Sequence, residues 1–397
     1  MNKSIYTERS RIVITCSKRL STYLHEEVQA LGFEVERVFA TGVELFGTVN
    51  DCIKLNLNLR CASQVHYSLL EFPAKNADEL YRTLSEIAWE NLIKSDGYFS
   101  VTCNVDNPTI NNTMFVNVKV KDAIVDRIRG QSSRRPDSGS DLSGAVIYLF
   151  WKDNRAEVFV DTSGETLSKH GYRKIPGKAP MLEALAASTL LAGKWDRRSP
   201  FVNPMCGSGT VAIEAALIAT NRRPGLLRDN YSYMHFIGYD ESTHRKEKEL
   251  LKHQIKEIPG LVIVASDNRE DAISVSRVNA GIAGVEHMIR FQVCDFQETK
   301  LPDAPGVIYF NPEYGERLGE ISALETTYAS IGDFLKKRCQ GYMAYIFTAN
   351  LELAKKIGLK ASRRIEFFTA KLDCRLLEYE LYSGTRRVPK NNGEEGQ

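Results

Sequence analysis

No run of apolar residues in this 397-residue chain approaches the ~18 that a membrane-spanning helix needs. The opening MNKSIYTERSR also lacks the apolar core of a secretory signal peptide. Eight cysteines, at 16, 52, 61, 103, 206, 294, 339 and 374, form no CxxC pair, and the seven histidines show neither HxH nor HExxH spacing. A disulfide framework is therefore not expected, nor is a metal site; reduced thiols in a cytoplasmic protein are. Charge of one sign is missing too. With 52 basic against 50 acidic residues the net charge is +2, so any footprint for nucleic acid must be local. What is present is an ordinary globular composition, 43% hydrophobic and 26% charged, in a chain long enough for two or three domains.

Two halves are distinguishable. In the first, RIVITCSKRLSTYLHEEVQALGFEVERVFATGVELFGTV reads as a strand at 11–16, a helix at about 20–31 and strands near 33–38 and 43–48. A second α+β stretch follows: a helix around 77–94, strands at 98–105 and 115–118, a helix at 120–129, and strands at 145–151 and 155–160. RGQSSRRPDSGSDLSG (129–144) reads as a polar surface loop. From about 181, PFVNP, LVIVASD, IRFQVCD, GVIYFNP and YMAYIFTAN alternate with helical patterns at about 208–220, 270–283 and 321–338. That alternation predicts a doubly wound, mostly parallel α/β sheet. Residues 222–258 read as a helical insertion, RRIEFFTAKLDCRLLEYELYSG as an antiparallel hairpin at a sheet edge, and the C-terminal tail as disordered.

Three features carry chemistry. In FVNPMCGSGTVAIEAALIA a strand runs through Gly207-Ser208-Gly209-Thr210 directly into a helix, whose first N–H groups are free for a nucleotide-like ligand. No Lys follows the last glycine, so this is not a P-loop. Two strands then end in acids: LVIVASD at Asp267, followed by Asn268, and IRFQVCD at Asp295, followed by Phe296. An acid ending the second strand suits ribose hydroxyls. The Asp-aromatic pair suits an adenine amine and ring. Asp240 competes for the ribose role by spacing; Asp267 is preferred because it stands in a complete strand–acid–helix unit. Finally, GVIYFNPEY ends its strand in Asn311-Pro312-Glu313-Tyr314. The Asn311 side-chain oxygen and the Pro312 carbonyl are suited to accept both N–H bonds of an exocyclic amine, with Tyr314 stacking on the base. Alone, the glycine turn or either acid is equally well a tight turn or a helix cap, and an isolated Asn-Pro-x-Tyr is more often an Asn-Pro turn with a core tyrosine. Together they point to methyl transfer from a sulfonium to a nucleobase amine, driven by alignment and desolvation.

With these motifs in place, the chain resembles the THUMP-containing class I S-adenosylmethionine RNA methyltransferases. Within them it resembles most the guanine-N2 methyltransferase half of the bacterial 23S rRNA enzyme. NPMCGSGTVAIEAALIA is similar to the family's D-P-M-C-G-S-G-T loop and NPEYGERL to its N-P-P-Y-G-E-R-L motif. VKVKDAIVDRIR and DTSGETLSKHGYRKIPGKAPMLEALAA resemble its THUMP signature and linking segment. The resemblance covers about residues 10 to 385. It implies a ferredoxin-like α+β region at 1–55, a THUMP RNA-binding domain at 56–165, a linker at 166–180, a Rossmann-like class I methyltransferase domain at 181–386 and a tail at 387–397. It implies S-adenosylmethionine held by Asn203, Pro204, Cys206, Gly207, Gly209, Thr210, Asp267, Asn268, Asp295 and Phe296. The amine clamp it implies is Asn311, Pro312 and Tyr314.

Two positions depart from the family pattern. Asn203 stands where the family carries Asp, removing a negative charge near the methionine amino group, and Glu313 replaces the second proline. The chain ends before the second methyltransferase domain of the fused enzyme, so that activity is expected to be absent. Lys119, Lys121, Arg127, Arg129, Arg134 and Arg135 cluster in the THUMP-like half, and Arg173 lies in the linker; as a group they are the candidates for RNA phosphates, though each singly reads as a solvated charge. The expected partner is structured RNA, 23S rRNA before tRNA, with no membrane and no metal. A tRNA guanine-N2 enzyme, a DNA adenine-N6 enzyme and a non-catalytic RNA-binding assembly factor stay open on these residues.

Overall fold

The computed structural model describes residues 4–175, 181–315, 321–369 and 372–382. Chain order in the first half is β1 (Ser10–Thr15), α1 (Ser21–Ala30), β2 (Arg37–Phe39), β3 (Gly42–Gly47), α2 (Val49–Asn58), β4 (Gln64–Pro73), α3 (Ala77–Glu86), β5 (Tyr98–Asp106), α4 (Thr113–Ser132), β6 (Asp137–Gly139), β7 (Ala145–Lys152) and β8 (Arg155–Asp161). These strands form one sheet in the order β2-β3-β1-β4-β8-β7-β5-β6. β4 is its keystone, pairing antiparallel with β1 on one side and with β8 on the other. The division at 55/56 drawn from the sequence falls inside α2.

Local chemistry accounts for the helices. Thr48 and Asp51 form a capping box that starts α2, with the Asp51 amide donating to the Thr48 hydroxyl and the Thr48 amide to the Asp51 carboxylate. Asn76 and Asn112 cap α3 and α4 with their side-chain oxygens. The strand expected at 115–118 is instead the first turns of α4. Its F-V-N-V-K-V alternates like a strand, but Val116, Val120, Ile124 and Ile128 recur at helical spacing and all are buried. The loop expected at 129–144 contains the end of α4 and the short strand β6, parallel to β5. The helix expected at 77–94 stops at Glu86 and resumes only as a 3-10 turn over Trp89–Asn91.

The second half runs α5 (Glu183–Ala192), β9 (Phe201–Pro204), α6 (Thr210–Ala219), α7 (Glu241–His253), β10 (Ile263–Asp267), α8 (Glu270–Ala283), β11 (Ile289–Val293), β12 (Gly306–Phe310), α9 (Ile321–Arg338), β13 (Tyr342–Thr348), α10 (Leu351–Lys355), β14 (Arg363–Thr369) and β15 (Leu372–Glu380). The sheet order is β11-β10-β9-β12-β13-β15-β14, with β15 antiparallel to β13 and the hairpin at the edge, as expected. β9, β10 and β12 are buried along their whole length, which explains their unbroken apolar runs. The insertion at 222–258 consists of two 3-10 turns followed by α7. The tail expected to be disordered lies outside the described residues.

The two halves share a core. One apolar cluster runs from Ile12 and Ile53 through Leu57 and Leu185 to Ile213 and Ile263, while a second fills the opposite face of the parallel sheet around Phe310, Ile331 and Phe334. At the junction the backbones nearly touch: a Cβ added at Gly225 would lie 2.4 Å from the Leu57 Cα. No helix among the described residues is long and apolar enough to cross a membrane. All eight cysteines are free.

Candidate active site

Because β9, β10, β11 and β12 are mutually parallel, their carboxyl ends open on one edge of the sheet. The loops that follow them meet there. The first leaves β9 at Pro204 and reaches α6 through three residues in the left-handed region: Met205 (φ 54°), Gly207 (φ 56°) and Gly209 (φ 82°). At Gly209 the requirement for glycine is doubled. Its φ is strained for any side chain, and an added Cβ would lie 2.8 Å from the Ser276 hydroxyl.

The turn is braced from its neighbours. Ser276 donates to the Gly207 carbonyl at 2.8 Å and Asn279 to the Ser208 carbonyl at 3.2 Å, both from α8. Asp267, ending β10, accepts the Gly207 amide at 3.0 Å on one oxygen and the Arg269 amide at 3.1 Å on the other. Asp267 therefore meets the turn directly, while Asp240, its rival by spacing, is a fully exposed cap of α7. Cys206 is buried, and burial followed by the Asp267 charge pushes its thiol up to about 12, so it is no nucleophile here.

The remaining cofactor candidates are spread over the same edge. Asp295 spends one carboxylate oxygen on the Gln297 amide, capping the turn after β11. Phe296 packs edge-on against Phe310 and Phe334 at 5.9 and 5.8 Å, so its ring is chiefly a core residue and shows little face to a ligand. Asn268 is exposed.

Asn203 lies in the middle of this edge, 1% exposed. Its amide nitrogen donates to the Tyr309 carbonyl at 2.9 Å, which bridges β9 and β12 and fixes the orientation of the amide. The oxygen Oδ1 is then left buried with no partner among the described residues. A buried orphan acceptor is costly unless a ligand satisfies it. Taken with the glycine turn and Asp267, it fits a ligand that brings a donor, such as the amino group of S-adenosylmethionine.

β12 lies directly beside β9 and delivers the second loop, Asn311–Tyr314, next to the glycine turn. Pro312 is buried and Glu313 exposed. The Tyr314 hydroxyl donates to Asn311 Oδ1 at 2.6 Å, and its ring meets Phe347 at 6.2 Å. The loop backbone is held by Asn350, which donates to the Tyr314 carbonyl at 3.1 Å, and by Tyr328, which donates to the Glu313 carbonyl at 3.2 Å. Glu316, Arg317 and Leu318 of the motif lie outside the described residues.

The candidate RNA residues separate into two groups. Lys119 pairs with Asp78, Lys121 with Asp122 and Arg127 with Glu90. Arg129, Arg134 and Arg135 are exposed, with no ion pair among the described residues. Arg173 requires a correction: it is an internal strut, donating to the Met181 carbonyl at 2.6 Å and to Glu183 at 2.8 Å, with its side chain 10% exposed.

The RMKL-like methyltransferase domain matches residues 170–378, the RlmL ferredoxin-like domain 11–66 and the THUMP domain 74–161. The chain belongs to the RMKL-like methyltransferase family. Its fold is the class I methyltransferase fold, preceded by ferredoxin-like and THUMP domains. The ribosomal RNA large subunit methyltransferase K/L of Syntrophotalea carbinolica is 34% identical over 385 residues, which are 92% of this chain and 53% of that relative. The chain thus spans about half the length of this and similar K/L relatives. A Synechocystis sp. relative, slr0064, is 31% identical over 368 residues and matches 93% of this chain and 96% of its own. Among solved structures, SMU.472 in complex with SAH superposes with a TM-score of 0.85 at 26% identity, covering 96% of this chain and 100% of that one.

Two buried residues on the helix that leaves the glycine turn escaped the sequence reading: Glu214, the one charged side chain on α6, and Arg60, bonded at that helix's far end. The signal for the first was legible, since a lone Glu in TVAIEAALIA has no apolar role. The second had no local signal.

Proposed function

We propose that this protein is an S-adenosylmethionine-dependent RNA methyltransferase that forms N2-methylguanosine in 23S rRNA. The observation that carries the reading is the adjacency of β9 and β12, which sets the Asn311–Tyr314 loop against the braced glycine turn. When bound, S-adenosylmethionine supplies an electrophilic methyl group. The chain's own residues do the rest. Asp267 and the turn amides hold the nucleoside end, and the orphan Asn203 oxygen accepts from the amino group. Asn311 Oδ1 keeps a second lone pair for an N–H of the target amine, and the Pro312 carbonyl accepts the other. Aligned this way, the nitrogen lone pair faces the methyl group and no covalent enzyme intermediate is required.

The THUMP match supports RNA as substrate, and the names of the K/L relatives support the large-subunit rRNA. Capture of that RNA is assigned to the first half, with Arg129, Arg134 and Arg135 as the cations free to meet phosphates. Transfer of labelled methyl to total rRNA, tRNA and DNA, followed by nucleoside analysis, tests the reading. N2-methylguanosine in 23S rRNA is the expected product; N6-methyladenine, or label in tRNA alone, would refute it.

A further inference from the structure

Helix α6 begins at the glycine turn, and every one of its residues is buried. Glu214 is its single ionisable side chain. Its Oε1 accepts the Tyr172 hydroxyl at 2.8 Å and faces His170 Nδ1 at 2.7 Å. The other ring nitrogen of His170 faces the Arg60 carbonyl at 3.0 Å. Both ring nitrogens of His170 thus face acceptors, an arrangement that a protonated imidazole satisfies with two donated bonds, and the His170–Glu214 contact is fully buried.

Arg60 holds the far end of the same helix. Its Nη2 donates to the Leu217 carbonyl at 3.2 Å and to the Arg222 carbonyl at 2.8 Å, a cation at the negative end of the helix dipole. Glu27 of α1 fixes Arg60 in turn, accepting the Arg60 and Cys61 amides at 3.1 and 2.9 Å. Arg60 follows α2 in the first half of the chain, while His170 and Tyr172 precede α5, at the start of the span that matches the methyltransferase domain. Arg60, whose carbonyl also faces His170, therefore reaches α6 from outside that span.

We propose that Arg60 and the His170–Tyr172–Glu214 cluster are positioning residues for the cofactor turn, through which the first half of the chain sets the axial position of α6. Apolar packing around a smooth helix resists separation more than sliding. Directional bonds at its middle and its end fix the slide, and with it the height of the turn against Asp267 and Ser276. The inference rests on reading that turn as the cofactor site.

The test uses the full chain carrying Arg60→Met, Arg60→Lys, Glu214→Gln or His170→Asn. Hydrogen exchange of the 207–211 amides is followed without cofactor, and S-adenosylhomocysteine and RNA affinities are measured separately. Arg60→Met and Glu214→Gln are expected to speed exchange in the turn while amides of β4 and β8 keep wild-type protection. Affinity for S-adenosylhomocysteine should fall about tenfold with RNA affinity unchanged, and Arg60→Lys should recover much of both losses. Wild-type exchange in the turn of folded Arg60→Met and Glu214→Gln would overturn the proposal. Should Arg60→Met not fold, Glu214→Gln and His170→Asn decide it alone. A wild-type chain that fails to bind S-adenosylhomocysteine would sink the cofactor reading instead, and the cofactor-free exchange data would still settle the coupling.

Discussion

The Tyr314 hydroxyl donates a 2.6 Å hydrogen bond to Oδ1 of Asn311, three residues back in the same loop. The tyrosine thus has two uses, a ring at the site and a hydroxyl that orients the amide. Tyr314→Phe keeps the ring and frees the amide to turn, so turnover should fall, by less than in Tyr314→Ala, while cofactor affinity holds. Asn311→Ala removes the acceptor itself, and losses for such positioned groups are commonly ~10²–10³-fold in rate. Single-turnover methylation with each variant checks the order; wild-type turnover in Asn311→Ala would exclude the clamp.

Asp267 and Asp240 give a paired prediction. Asp267→Ala strips the Gly207 amide of its acceptor together with the proposed ribose contact. Cofactor affinity should weaken by roughly 1.5–3 kcal/mol, the range for hydrogen bonds to a charged group. Asp240→Ala removes only an exposed helix cap and should leave affinity unchanged. Titration calorimetry with S-adenosylhomocysteine separates the two.

Reversing Arg129, Arg134 and Arg135 together to Glu should weaken RNA binding and leave cofactor binding intact. Three lost phosphate contacts would also flatten the salt dependence, by about 2 in the slope of log K against log salt for single-stranded contacts. The same reversal at Lys119, Lys121 and Arg127, whose charges are already paired with acids, should change that slope less. Equal slopes for the two triple variants would remove the distinction.

The His170 pair predicts a pH dependence of stability. Burial is the largest influence on His170 and lowers its pKa, but Glu214, Glu183 and the Arg60 carbonyl together leave it raised above the ordinary 6.5. A raised folded-state pKa means the folded chain holds the proton more tightly. The stabilisation is complete below 6.5 and is lost as pH climbs through the folded value. Tyr172 is pushed well above its ordinary range and stays neutral throughout. Glu183 is also raised, so the comparison needs the His170→Asn variant to isolate one group. Urea midpoints for both chains across this range should converge as the pH rises; a constant gap would contradict the imidazolium assignment.

Much of the second half was legible because β9, β10 and β12 are buried along their whole length and the turns after them carry residues of restricted chemistry. Asn-Pro after GVIYF and Gly-Ser-Gly after FVNP cannot continue a strand, so the sequence itself marks where the sheet edge opens. The first half was harder. FVNVKV satisfies both the strand and the helix period over six residues, and only the wider spacing of Val116, Val120, Ile124 and Ile128 decides between them. Lys121 pairs with its own neighbour Asp122, whereas the pairing states of Lys119, Arg127 and Arg173 depend on acids 41, 37 and 10 positions away. The same holds for Arg60, whose partner carbonyls lie 157 and 162 positions away.

The eight-stranded sheet is bounded by β2 and β6, each only three residues long, while the ten-residue β4 lies at its centre. Such stubby margins offer a neighbouring molecule almost nothing to zip onto. A fragment cut between β3 and β8 would uncover the pairing edge of β1, β4 or β8 that the intact sheet covers. Proteolysis or premature termination in that interval should therefore leave products that cluster through strand exchange, where the intact sheet presents only its two short edge strands.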